Sequence, residues 1–308
     1  MEAFEVIASS TDEAAWKEAR RSLITASDVS AIIGLNPWRS ALEVWARKLG
    51  MVAEPDFSAN EAVYFGHLLE PVVIGEFGKR TGRRATPTNV LKRSRLYPWL
   101  GATEDFDTEG EPGESKTGSS YAVGDWIEGM PEHYRPQLVT QCIVTGAARG
   151  WTAALLGGQR FVYDSVIPTD EEVKAILEAT EAFARCLRDG TPPAADGSES
   201  AARTLFALAP EAVPGKAIAL TPDLVAVSER LDAAKAAKKA AEAEESICAN
   251  TLKQYAGDAS KLVLPAGGGW SLTNVATKPP SVLTCDCGKA HQTDNGRRGS
   301  LTMRRTAK

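Results

Sequence analysis

Cysteine is scarce. The chain of 308 residues has five, an odd number, and only Cys285 and Cys287 stand close together. A disulfide scaffold is therefore not expected. The Cys-x-Cys spacing, with His291 four residues on, also departs from the Cys-x-x-Cys pairing of structural zinc sites, so reduced, unpaired thiols are expected. Long apolar runs are missing as well: there is no stretch of about eighteen apolar residues and no basic-then-apolar start. A membrane span and a secretion leader are not expected, and the location implied is cytoplasmic. An excess of positive charge is absent too, with a net charge of −5 and a pI near 5.5. Overall sign thus does not mark a nucleic-acid binder, because affinity for phosphates comes from clustered Lys and Arg. Three such clusters exist: Arg20-Arg21, Lys79-Arg80 with Arg83-Arg84, and Lys92-Arg93 with Arg95. Each alone reads as a solvated face.

What is present is an ordinary globular composition, 43% hydrophobic and 24% charged, long enough for one large domain plus an appendage. The first fifty residues read as helical. Thr11 leads into an acidic first turn, Thr25 or Ser27 caps "DVSAIIG", which Gly34 closes, and Ser40 caps "SALEVWARKLG", which stops at Gly50. A longer helix is expected from Ser58, which has capping-box spacing to Glu61. Ala62, Phe65, Leu69, Val72, Val73 and Phe77 set its buried stripe. Glu70 lies beside that stripe, where a carboxylate is costly to bury without a positive partner. Pro71 follows it and denies a donor to the carbonyl four residues back.

From Thr88 to Thr117 the pattern turns to short extended pieces around "NVLKRSRLYPWLGATEDF" and "GESKT". A helix then spans "MPEHYRPQLVTQCIVTG". Two strands, "WTAALLGG" and "RFVYDSVIP", turn at Gly157-Gly158, and the helix "TDEEVKAILEATEAFARCLRDG" follows. The Pro- and Ala-rich link "TPPAADGSES" separates the last third. There Thr221 and Pro222 open a long Ala-, Lys- and Glu-rich helix, alone or as one arm of a hairpin. After Lys278 little periodicity remains, and that tail is expected to be partly disordered.

Chemistry concentrates in "ATEDFDTEGEPGESKT", Ala102 to Thr117. Residues two apart in a strand share a face, so Glu114 and Lys116 project side by side. Three hard oxygen donors from Glu70, Asp105 and Glu114 suit Mg²⁺, with Mn²⁺ able to substitute, and an adjacent Lys can steady charge on a reacting phosphoryl group. The other four carboxylates, Glu104, Asp107, Glu109 and Glu111, read as solvated loop.

Five ordered motifs, "WKEARRSLITASDVSAIIGLNPWRSALEVWARKLG", "FGHLLEP", "ATED", "ESK" and "YRPQLVTQCIVTG", resemble the YqaJ-type viral recombinases, relatives of the phage lambda exonuclease. The resemblance covers roughly residues 10 to 190. It implies an α/β (α+β) fold of the PD-(D/E)xK restriction-endonuclease-like kind, a mixed central sheet flanked by helices. Residues 1–195 would form the nuclease core, 196–277 a helical region with a short hairpin, and 278–308 a tail. The resemblance further implies Glu70, Asp105 and Glu114 as metal ligands and Lys116 as the catalytic lysine. Gln137 would order the site, and Arg20 and Ser27 would bind a terminal 5′-phosphate. The activity implied is Mg²⁺-dependent exonucleolytic digestion of double-stranded DNA ends, 5′ to 3′, leaving a 3′ strand for a single-strand annealing protein. A ring trimer is the assembly it suggests. An endonuclease, or an end-binding recombination subunit without activity, is the alternative. The family pattern is departed from at Gly113 and Ser115, where branched apolar residues are usual, which predicts a weakly held strand.

Overall fold

The computed structural model describes residues 2–275, 282–284, 290–292 and 300–306. Cys285 and Cys287 lie outside the described residues, as does much of the tail after Lys278. The chain divides into two compact units, Met1–Glu211 and Ala212–Lys308.

In the first unit the elements run β1 (Phe4–Ser9), α1 (Glu13–Ser22), β2 (Ile24–Thr25), α2 (Ala26–Ile32), α3 (Ala41–Lys48), α4 (Glu61–Thr81), β3 (Thr86–Pro87), β4 (Val90–Ser94), β5 (Leu100–Ala102), β6 (Phe106–Thr108), β7 (Glu111–Gly118), α5 (Arg135–Thr145), β8 (Gly150–Leu156), β9 (Arg160–Val166), α6 (Asp170–Asp189) and α7 (Glu199–Leu208). Two 3₁₀ turns, Ser120–Trp126 and Glu132–Tyr134, bridge β7 to α5. One sheet has the order β1-β4-β5-β2 and the other β3-β6-β7-β8-β9, so the architecture is mixed α/β as expected. In the larger sheet only β7 and β8 pair parallel, with Glu114 opposite Thr152 and Lys116 opposite Ala154. The α5 crossover makes that pairing possible, because parallel neighbours need a long connection.

Helix α4 covers one face of β7–β8 and α5 the other. On the α4 side Val73, Ile74 and Phe77 bury against Phe106 and Ala153. On the α5 side Leu138, Val139 and Val144 join Val29, Val44, Trp45, Ile176 and Phe183 in the main core. Burying such side chains removes each from water at a gain of about 1.5–3 kcal/mol.

The α4 stripe is half as long as its periodicity suggests. Val73 and Phe77 are buried, whereas Phe65 and Val72 are exposed. Its cap is Asn60 rather than Ser58, accepting from the N–H groups of Ala62 and Val63. The helix runs through Pro71 without interruption. Helix α1 is capped by Asp12 rather than Thr11, while Thr25 and Asp28 form a capping box on α2.

The first unit extends beyond residue 195. Helix α7 docks on α3, with Ala201 fully buried and the Ser200 hydroxyl hydrogen-bonded to Glu43 and, at 3.1 Å, to Ser40 Oγ. The Pro-rich link therefore lies within this unit, and the boundary falls at 211.

In the second unit α8 (Pro222–Ala256) is a single continuous helix. It precedes β10 (Lys261–Val263), β11 (Gly269–Val275), β12 (Val282–Thr284), β13 (Ala290–Gln292) and β14 (Ser300–Thr306), with sheets of order β10-β11-β14 and β12-β13. No helix among the described residues is long and apolar enough to cross a membrane.

Candidate active site

Strand β7 carries the site and is held on both edges, by β6 and by β8. Gly113, at its start, pairs with Phe106, and a Cβ there would lie 2.5 Å from the ring's Cδ2 and closer still to Cε2 and Cζ. The ring of Phe106 fills the space a side chain at 113 would need. The glycine that predicts a weak strand is thus a packing requirement, with the aromatic supplying the missing apolar bulk. Ser115, the other departure, faces α4 and gives its N–H to Asp105 Oδ2 at 2.7 Å. That bond ties the strand to the loop holding the second carboxylate.

Glu114 and Lys116 project to the α5 face, and Lys116 Nζ lies 2.6 Å from Glu114 Oε1 and 3.4 Å from Gln137 Oε1. One turn further along α5, Gln141 Nε2 donates to Glu114 Oε2 at 2.7 Å and to the carbonyl of Thr103 at 3.2 Å. Gln141 is fully buried and Glu114 is 6% exposed. The sequence reading named Gln137 and missed Gln141. The available signal was spacing, since residues four apart on a helix share a face.

The charges in this pocket act on one another. Burial and then the charge of Glu114 push Asp105 up to about 8, with Glu70 adding to the effect. Glu70, half-buried on α4, is likewise raised, first by burial and then by Glu114, with His67 and Lys116 opposing. Burial alone would depress Lys116, but Glu114 and Asp105 outweigh it and hold the ammonium charged above its ordinary range. The three carboxylates expected as metal ligands therefore share one electrostatic field. As they stand, no three His, Cys, Asp or Glu side chains among the described residues lie close enough to hold an ion together. Lys116 and Gln141 engage the two oxygens of Glu114, and Ser115 engages Asp105. The donor set nevertheless fits a divalent cation: it offers hard carboxylate oxygens, and a dication would relieve the like-charge crowding that raises Asp105 and Glu70.

Arg20 and Ser27 also meet. Arg20 Nη2 donates to Ser27 Oγ at 3.1 Å, and its guanidinium stacks 4.5 Å from the ring centre of Trp16. Behind them lies a buried anchor the sequence did not disclose. Asp28 is bridged by Arg39 at 2.8 Å and Lys48 at 2.9 Å. Burial by itself would raise this carboxyl, but the two cations hold it well below the usual range. Ser27 sits in the first turn of α2, where helix N–H groups and dipole favour an anion.

Other charges resolve differently from the sequence reading. Glu104 is not solvated: it is fully buried and paired with Lys92. Glu111 accepts from Arg83 and from the Trp151 indole, each at 2.7 Å. The basic clusters are largely neutralised within the fold, Arg93 and Arg95 by Glu5 and Arg80 by Glu76.

In comparison with known proteins, residues 15–148 match the family described as YqaJ-like viral recombinase domain. The uncharacterised protein YqaJ of Bacillus subtilis (strain 168) is 35% identical over 212 residues, covering 67% of this chain and 66% of that relative, just short of two thirds of its length. Among solved structures, an alkaline exonuclease from Laribacter hongkongensis matches at 20% identity with a TM-score of 0.49, over 57% of this chain and 93% of that one. A phage related exonuclease from Haemophilus somnus 129PT matches at 12% identity with a TM-score of 0.42, over 55% and 96%.

Proposed function

We propose, from the premise that this chain belongs to the YqaJ-like viral recombinase family, that it is a Mg²⁺-dependent deoxyribonuclease digesting duplex DNA from a 5′-phosphorylated end. The observation that carries the reading is the joining of Glu114, Lys116, Asp105 and two α5 glutamines in one buried network, near a separate Arg20–Ser27 anion grip.

Glu70, Asp105 and Glu114 would hold the ion. When bound, it supplies a lowered pKa for a coordinated water and charge stabilisation at the phosphoryl oxygens. The remaining work falls to the chain itself. Lys116, kept cationic by Glu114 and Asp105, orients the attacking water and steadies negative charge on the phosphoryl group as the P–O bond breaks. Gln137 and Gln141 fix the Lys116 and Glu114 rotamers. Arg20 offers a forked cationic donor to the terminal phosphate, and Ser27 adds a hydroxyl from the α2 start. An enzyme gripping a terminal phosphate favours exonucleolytic over internal cleavage, and a product with a 3′ single strand is suited to an annealing protein.

The test is digestion of a linear duplex with 5′-phosphate, the same duplex dephosphorylated, and a covalently closed circle, in Mg²⁺ or EDTA, beside Glu114→Ala. Metal-dependent loss of the phosphorylated linear form alone is expected. Equal digestion of the circle defeats the end-directed reading, and no metal-dependent digestion of any substrate defeats the nuclease reading.

A further inference from the structure

The loop between α2 and α3 turns two consecutive residues toward different neighbours of the site. Arg39 Nη2 reaches Asp28, next to Ser27 at the phosphate grip. Trp38 instead sets its ring edge-on to His133, with centroids 5.0 Å apart and planes at 89°. His133 packs on Tyr134 at 4.1 Å, and Lys116 Nζ lies 5.0 Å from the Tyr134 ring centre. A chain of contacts thus runs from the segment beside Ser27, through Arg39 and Trp38, to His133, Tyr134 and Lys116.

The loop is built to hold that ring in place. Asn36 Oδ1 accepts the N–H groups of both Trp38 and Arg39 at 2.9 Å, while Asn36 Nδ2 donates to Ser30 Oγ on α2 at 3.0 Å. Yet Trp38 is 61% exposed, an unusual placement for the largest apolar side chain. Two buried polar atoms around it, Arg39 Nε and His133 Nε2, have no hydrogen-bond partner among the described residues. Such atoms are costly unless a ligand or water meets them.

In a nucleic-acid strand, what lies between two successive phosphates is one nucleoside. If the terminal phosphate is at Arg20 and Ser27 and the next is at Glu114 and Lys116, the first nucleobase falls beside Trp38. We infer that Trp38 is the stacking platform for the 5′-terminal base, a residue that sets which ends are digested. This rests on the nuclease reading above. Aromatic stacking accepts any base, so the platform measures the presence of a terminal base rather than its identity.

The experiment compares 5′-phosphorylated duplexes whose 5′-terminal nucleotide either carries its base or is abasic. Digestion is read as kcat/KM in Mg²⁺, and binding as Kd by fluorescence anisotropy in EDTA. The unmodified protein is expected to favour the base-bearing end roughly tenfold, within the range of aromatic–base stacking. Trp38→Ala should bring the ratio near one, and Trp38→Phe should keep most of it. An unmodified protein without this preference, or a Trp38→Ala variant that retains it, overturns the platform while leaving the nuclease intact. A protein that neither binds nor digests any duplex end overturns both.

Discussion

Gln141 and Glu114 form a buried hydrogen bond of 2.7 Å, from an amide in the middle of α5 to the carboxylate at the centre of β7. Because the same amide nitrogen also holds the Thr103 carbonyl, it ties the catalytic strand to the segment that leads into Asp105. Replacement by Leu keeps the bulk and removes the donor. A loss of about 10–100-fold in activity is expected, with a higher Mg²⁺ concentration needed for half-maximal rate, as for other residues that orient metal ligands. A Mg²⁺ titration of duplex digestion reads both, and an unchanged titration curve removes Gln141 from the site.

Asp105 gives a pH dependence whose sign is fixed. Its carboxyl holds a proton in the folded chain up to about 8, whereas the ordinary value is 3.8. Between those values the unfolded chain has released a proton that the folded chain keeps, so metal-free stability falls as pH rises. Below the window both forms hold the proton, and above it neither does. Melting in EDTA should therefore drop from pH 5 to pH 8 more in the unmodified protein than in Asp105→Asn. Mg²⁺ at pH 8 should restore only the former. Equal drops for the two proteins would count against the account.

The Lys92–Glu104 pair is buried beside the site, with Glu104 fully inaccessible and held above its usual range by burial, against the pull of Lys92. Lys92→Met leaves that carboxylate without its cation and should cost about 3–5 kcal/mol. Adding Glu104→Gln should return much of it, since the stranded charge is then gone. Urea unfolding of the two variants decides, and a single variant as stable as the unmodified protein contradicts the pair's role.

Gly113→Ala drives a methyl into the ring of Phe106. Destabilisation of about 1–3 kcal/mol is expected from overpacking. Phe106→Leu in the same chain should relieve part of it. A fully additive double variant, measured by urea unfolding, would show that the two positions do not meet.

Much of this was readable in advance. Helix caps at Thr25 and Ser40 and the alternation around Glu114 and Lys116 act locally, over spacings of two to four residues. What was not readable depends on partners distant in the chain. Glu104 reads as loop because its cation, Lys92, lies on another strand. The Asp28 anchor goes unread because its cations, Arg39 and Lys48, come from the following loop and from α3. Gly113 reads as weakness because the ring that compensates for it belongs to β6. Helix α7 was hidden behind a Pro-rich link that signals a boundary by composition but is bypassed by the Ser200 contacts with Ser40 and Glu43.

Strand β7 is interior to its sheet, paired with β6 from Glu111 to Gly113 and with β8 from Gly113 to Gly118, and covered by a helix on either face. Glu114 and Lys116 are consequently held by the β8 ladder and by Gln141 and Gln137 of α5 together. The loop from 33 to 40 and the 3₁₀ segments from 120 to 134 lie outside that ladder. A protein engineer wanting a different end preference has those two segments to vary, with the cutting chemistry left where it is.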